Sequence, residues 1–231
     1  MSSQTDLEQP VTGFAADSEA VGTTVRIPAP GFTDRVHGAQ QTFRALLDAC
    51  GRPTTTVTLP CEVSAPGLLT RSAAAFLLTL ADDSSPLWLD STLASDPDVT
   101  AWIEFHTGAP LVADRSSAAF ALVAAPERLP TLDSFALGSD EAPHTSTTVV
   151  VMTDPELDRT VDGLWGVDGP GFPEPAIWDA PALPVDFAAQ WARNGALFPR
   201  GVDLVLASDD AFVALPRTTR LTTVDQMVEV A

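Results

Sequence analysis

The sequence contains no lysine and no tyrosine, and all 12 of its basic residues are arginines. Without a lysine amine there is no internal aldimine with pyridoxal phosphate, no Walker-type phosphate loop and no kinase-type strand lysine. Against those 12 cations stand 31 carboxylates, for a formal net charge of −19. That balance excludes general binding to nucleic-acid backbones or to anionic membrane surfaces, both of which need clustered cations. Cysteine is scarce as well. Cys50 and Cys61 each sit in an apolar pattern and are expected as free buried thiols in a reducing compartment, the alternative being a bridge between them, with no metal-ligand spacing around them. The longest apolar stretch, Ala73 to Ala81, is interrupted by Thr79 and falls far short of the ~20 residues that span a bilayer. Residues 1–30 have neither a basic start nor a continuous apolar core, which argues against a secretory signal and for a cytoplasmic protein.

The acidic residues are spread over the whole chain in runs of no more than two, unlike an acidic tail built for a basic partner. Even spreading of short carboxylates with arginine as sole cation fits a surface adapted to a salt-rich cytoplasm, as in a halophilic archaeon, where counter-ions screen self-repulsion. Hydrophobic residues make up 45% of the chain, enough for a core at this length without disulfide staples. Residues 1–30, rich in Ser, Thr, Ala and Pro, read as a mobile extension, and 31–231 as a single domain without linker or repeat.

Hydrophobic periodicity places a helix over Thr33–Cys50, capped by Thr33 or Asp34, with Val36, Ala39, Gln40, Phe43, Leu46, Leu47 and Cys50 on its apolar face. Thr54–Leu59 reads as a strand, Leu68–Leu80 as a second helix and Leu87–Leu89 as a short buried strand. Asp96-Pro97 opens a third helix with Val99, Trp102, Ile103 and His106 on one stripe, closed by Gly108. Ser117–Val123 and Thr145–Met152 are strands, and Val161–Phe172 a strand running into a glycine-rich turn. Pro173–Pro184 reads as an ordered loop and Asp186–Leu197 as a fourth helix. Val202–Ala207 and Ala211–Leu215 form a hairpin. Interleaved helices and strands ending in a hairpin predict an α/β fold with a mixed sheet flanked by helices.

No self-contained catalytic set is present: no GxSxG elbow, no HxxxH or HExxH pair, and no recognisable cysteine nucleophile. The carboxylate pairs Asp82-Asp83 and Asp209-Asp210 fall in turns and are expected to be solvated. The cluster Arg217-Thr218-Thr219 follows a strand, and a guanidinium with two hydroxyls suits a phosphate-like anion; the competing reading is a surface turn with a local ion pair. Arg44, beside Phe43 on the first helix, is a weaker anion candidate that could equally snorkel along that face. His106 is another, although a helix-capping core histidine is the plainer reading. No metal site and no cofactor are expected.

Several segments resemble the PhnH family of the carbon–phosphorus (C–P) lyase system. They are Gln40–Ala49, Leu77–Asp82 with Pro86–Leu89, Phe105-His106-Thr107 with Ala109–Val112, and Gly169-Pro170-Gly171. The last and most specific is Phe198-Pro199 and Gly201–Leu204 followed by Leu215–Thr219. The blocks run in family order from about residue 35 to 220. Residues 1–30 stand outside them, and Pro53-Thr54 replaces a common Pro-Gly. The resemblance implies a frame similar to pyridoxal-phosphate-dependent transferases but without the cofactor. It also implies homodimerisation in isolation and assembly with PhnG, PhnI and PhnJ. That assembly makes a ribose 1-alkylphosphonate 5-triphosphate from a nucleoside triphosphate and an alkylphosphonate. On this reading the chain assists a multi-subunit transferase and is not catalytic alone; the rival is a pure scaffold without ligand contact.

Overall fold

A computed structural model describes residues 28–154 and 159–223; the extension expected over residues 1–30 lies, up to residue 27, outside the described residues. Five helices are described: α1 (Arg35–Gly51), α2 (Arg71–Leu80), α3 (Ser91–Ala94), α4 (Pro97–Thr107) and α5 (Phe187–Ala196). The strands are β1 (Val57–Thr58), β2 (Leu87–Leu89), β3 (Phe120–Val123), β4 (Thr148–Met152), β5 (Arg159–Asp168), β6 (Ala176–Pro181), β7 (Asp203–Ala207), β8 (Ala211–Leu215) and β9 (Arg220–Thr223). Six strands form one sheet in the order β1-β8-β7-β4-β3-β2. The four from β2 to β7 are parallel, and β8 and β1 are antiparallel additions, so the sheet is mixed as expected.

The two-residue period of the strands sorts their side chains between two apolar layers. Leu122, Val150, Val205 and Phe212 face α1, α2, α3 and α4, where Phe76, Leu93, Trp102 and Ile103 complete one core. Ala121, Val123, Val149, Val151, Leu204 and Leu215 face the other way, against Phe187 and Trp191 of α5 and Trp178 of β6. Helix starts follow the side chains that cap them. Asp34 accepts from the backbone N–H groups of Val36 and His37, Thr70 from Ala73, and Asp96 from Asp98 and Val99. Gly108, with φ +68, closes α4 in the left-handed conformation.

Four expectations are corrected. The Pro173–Pro184 loop contains β6, which pairs antiparallel with β5 in a second, three-stranded sheet of order β6-β5-β9. Its prolines lie outside the strand or at its last residue, where they remove no interior ladder donor, and between them Trp178 and Ala180 turn inward while Ile177 and Asp179 turn outward. The Thr54–Leu59 strand shrinks to two residues, after Thr54 at φ +62. Cys50 is exposed and Cys61 half-buried, both free, with Cys61 Sγ 3.3 Å from the Thr42 hydroxyl. Most consequentially, α1 is rotated relative to its expected apolar face. It buries Gly38, Thr42, Ala45, Leu46 and Ala49, while Val36, Phe43, Leu47 and Cys50 point outward. Small residues win because they admit close approach: a Cβ on Gly38 would stand 2.8 Å from the Phe32 ring.

Candidate functional site

The parallel strands β4 and β7 begin side by side, Thr148 opposite Asp203, and the Arg217 cluster sits at that N-terminal edge. The chain reaches it from β8, which pairs antiparallel with β7 and delivers Pro216-Arg217 next to Asp203. The backbone N–H of Arg217 donates to Asp203 Oδ1 at 2.8 Å and its Nε to the same oxygen at 3.1 Å. Its Nη2 donates to Asp203 Oδ2 and, at 2.7 Å, to the Ser146 hydroxyl. Nη1 donates to the carbonyls of Pro199 at 3.1 Å and Pro143 at 3.4 Å. A guanidinium has five N–H donors, and here every one faces a protein acceptor. The Arg217 side chain is 13% exposed, so the pair lies in partly desolvated surroundings.

The two hydroxyls of the cluster are placed differently. Thr219 is buried, its hydroxyl has no hydrogen-bond partner among the described residues, and its carbonyl accepts from the Trp191 indole at 2.8 Å. Thr218 lies half-buried on an open groove of about 380 Å³ with His144, Phe198 and Pro199, floored by Arg217 and Asp203. The Gly169-Pro170-Gly171 turn buttresses this corner. A Cβ on Gly169 (φ +129) would stand 2.8 Å from the Thr218 carbonyl, and one on Gly171 (φ +95) 2.9 Å from the Gly51 carbonyl and 2.5 Å from Pro53. Glycine is thus required there for backbone sign and for space, and the turn wedges between the end of α1 and residues 218–219.

The remaining candidates are not brought to this corner. His106 Nε2 lies 2.7 Å from the Ala29 carbonyl, which also accepts from the Trp102 indole at 3.0 Å. Its ring lies against Trp102 at a tilt of 48° and meets Phe105 edge-on, so it ties residues 29–31 to α4. Arg44 is exposed on the outer side of α1 and makes no ion pair with a described residue. The turn carboxylates Asp82, Asp83, Asp209 and Asp210 are all exposed, as expected. Asp82 accepts from the Ser84 and Ser85 hydroxyls, which hold its carboxyl below the usual carboxylate range. Asp209, exposed as expected, also accepts from the backbone N–H and side chain of Arg71, clipping the β7–β8 turn to the start of α2.

A larger cavity of about 430 Å³ opens at the opposite, C-terminal edge of β4 and β7, the edge where open α/β sheets ordinarily bind ligands. Hydroxyls of Thr54, Thr56, Thr153 and Ser208 and the carboxylates of Asp179 and Asp210 line it, and no described lining residue is cationic. Such a wall disfavours phosphate groups. Among the described residues no group of three or more His, Cys, Asp or Glu could hold a metal ion. No described helix is long and apolar enough to cross a membrane.

Comparison with known proteins decides the family. Residues 30–222 match the model of the family described as bacterial phosphonate metabolism protein (PhnH). The chain belongs to the PhnH family. A curated PhnH relative, the alpha-D-ribose 1-methylphosphonate 5-triphosphate synthase subunit PhnH of Rhizobium meliloti (strain 1021), is 38% identical over 197 residues. The match covers 85% of this chain and 96% of the relative. Within the PhnH domain the two halves of the most specific motif, Phe198–Leu204 and Leu215–Thr219, meet in space through Asp203 and Arg217. Gly201 (φ +114) belongs to the same construction: a Cβ there would stand 2.8 Å from Asn194 Oδ1, which accepts from the Val202 N–H. Residue spacing exposed the Arg–Thr cluster; the acceptors that saturate Arg217 come from three other segments and carry no local signal.

Proposed function

We propose that this chain is the PhnH subunit of a synthase acting in C–P lyase phosphonate catabolism. In that role it assists formation of ribose 1-alkylphosphonate 5-triphosphate from a nucleoside triphosphate and an alkylphosphonate, in the cytoplasm, together with PhnG, PhnI and PhnJ. The observation that carries this reading is the near end-to-end correspondence with a curated subunit of such a synthase. Residues 31–231 act as one domain behind an extension, and the start of the family match at residue 30 supports that division. The mixed sheet with helices over it is compatible with a transferase-like frame, and the absence of lysine with one that holds no covalent pyridoxal phosphate.

Within the assembly, the saturation of Arg217 supports an organising role over direct anion contact. The Arg217–Asp203 pair is neutral as a unit, so Arg217 and Thr218 shape the groove instead of offering a free charge to it, and Thr219 is buried behind them. His106 anchors residues 29–31, and Arg44 keeps a charge available for a partner.

Calorimetry separates this from the anion-holding reading. With the four-subunit assembly formed from Arg217→Ala chain, affinity for a nucleoside triphosphate is expected to match wild type, the cost falling on the stability of the subunit. A normally formed assembly with weakened nucleotide affinity would return Arg217 to the ligand site.

A further inference from the structure

The face of α1 that sequence periodicity assigns to the core is exposed instead. Val36 is 64% exposed, Phe43 46% and Leu47 57%. They are seven and four residues apart, on one stripe of the helix opposite Gly38, Thr42, Ala45 and Ala49. Single exposed apolar residues need no explanation. Three in line over about 16 Å of helix, with Cys50 continuing the row, form a patch.

The charges around this patch are inverted relative to the rest of the molecule. In a chain of 31 carboxylates and 12 arginines, α1 and its flanks carry Arg35, Arg44 and Arg52, against Asp34 and Asp48. Asp48 pairs with Arg52 at 3.1 Å and Asp34 with His37 at 2.8 Å. Arg35 and Arg44 form no ion pair with a described residue. A chain with a net charge of −19 repels any acidic partner on approach, so a contact with one favours a place where local charge is reversed.

We infer that the outer face of α1 is a docking surface for another subunit of the synthase, one that presents an apolar groove edged by carboxylates. The inference rests on the subunit reading above and adds the surface and its complement. A second copy of this chain fits less well. Two-fold symmetry brings a patch onto itself, so the excess of arginine around this patch would oppose the same excess on the second copy. Convexity excludes a small-molecule site, because a helix ridge encloses nothing.

Co-expression of the full chain, affinity-tagged, with the PhnG, PhnI and PhnJ chains tests this. The readouts are partner stoichiometry after purification and the melting temperature of the isolated subunit. Leu47→Glu and Phe43→Glu are expected to lower partner retention roughly tenfold or more with the melting temperature unchanged. Val185→Glu, a change to the same residue at a fully exposed apolar position elsewhere, is expected to leave retention intact. Arg44→Glu is expected to weaken retention most at low salt. Full retention by Leu47→Glu overturns the docking surface while leaving the subunit reading in place. A wild-type chain that holds none of the three partners removes the subunit reading and the surface with it. A dimer of the isolated chain that Leu47→Glu dissociates would assign the face to a second copy. Hydroxyl-radical footprinting in which Phe43 is already shielded in the isolated monomer would assign it to residues 1–27. Either result overturns the proposal.

Discussion

Arg217 and Asp203, 14 residues apart in sequence, are joined by the Arg217 backbone N–H, Nε and Nη2, all donating to one carboxylate at the edge where β4 and β7 begin. The remaining guanidinium donors bind Ser146, Pro143 and Pro199. One side chain therefore ties together the end of β8, the start of β7 and two loops. Removing it leaves a partly buried carboxylate and three further acceptors without their donor. Arg217→Ala is expected to cost about 3 kcal/mol in urea unfolding. Arg217→Lys should recover only part, because an ammonium cannot reproduce the planar fork. A loss below about 0.5 kcal/mol would show that the pair is not holding this corner.

Glycine positions provide a contrast. Gly171→Ala meets both an unfavourable φ and the Gly51 carbonyl, and is expected to destabilise by more than about 1 kcal/mol. Gly51→Ala, at the last residue of α1 with nothing within 4 Å, should be neutral or stabilising by up to about 1 kcal/mol. Thermal denaturation of the two variants side by side checks the sign of each. Equal effects would mean that the turn is not wedged as described.

Most of the frame is legible from residue patterns, because capping residues and β-branched runs act locally: Asp34 and Asp96-Pro97 open their helices, and the strand expected over Thr145–Met152 forms from Thr148, while the helix expected from Leu68 starts only after Thr70 caps it. What escaped was decided at a distance. The α1 face was misassigned because Val36, Phe43 and Leu47 outrank Gly38, Ala45 and Ala49 in hydrophobicity. Close helix packing selects the smaller residues. Strand β6 was hidden by its flanking prolines. The cluster of Arg217, Thr218 and Thr219 is visible as a motif, and the family motif places Pro199 and Asp203 before it, but the saturation of Arg217 also depends on Ser146 and Pro143, which nothing in the sequence links to it.

Acid should weaken the fold in part through three hydrogen-bonded surface carboxylates. The His37 backbone N–H and imidazole hold Asp34 below the ordinary carboxylate value, as the Ser84 and Ser85 hydroxyls do for Asp82 and the Ser116 N–H for Asp114. A carboxyl whose folded value is depressed contributes fully above its unfolded value near about 4 and loses that contribution as pH falls through the lowered one. Urea midpoints are therefore expected to be flat from pH 7 to about 5 and to fall below about 4. Asp34→Asn, which keeps a capping oxygen, should shallow that fall with little loss at pH 7. A steeper fall in the variant would contradict the assignment.

With a net charge of −19, the folded chain repels itself. Raising KCl from about 0.1 M to about 1 M shortens the screening length from roughly 10 Å to roughly 3 Å, so the melting temperature is expected to climb steadily across that range. A flat or falling melting temperature would mean that the acidity is not a salt adaptation.

The central claim is that this chain completes a phosphonate-ribosylating assembly instead of catalysing alone. The most direct measurement is formation of ribose 1-alkylphosphonate 5-triphosphate from a nucleoside triphosphate and methylphosphonate, followed by phosphorus NMR, with this chain omitted from and then returned to PhnG, PhnI and PhnJ. The account predicts no product from the chain alone, little from the three partners without it, and restored formation when all four are combined. Product from the isolated chain, or undiminished product from the three partners without it, would contradict the account.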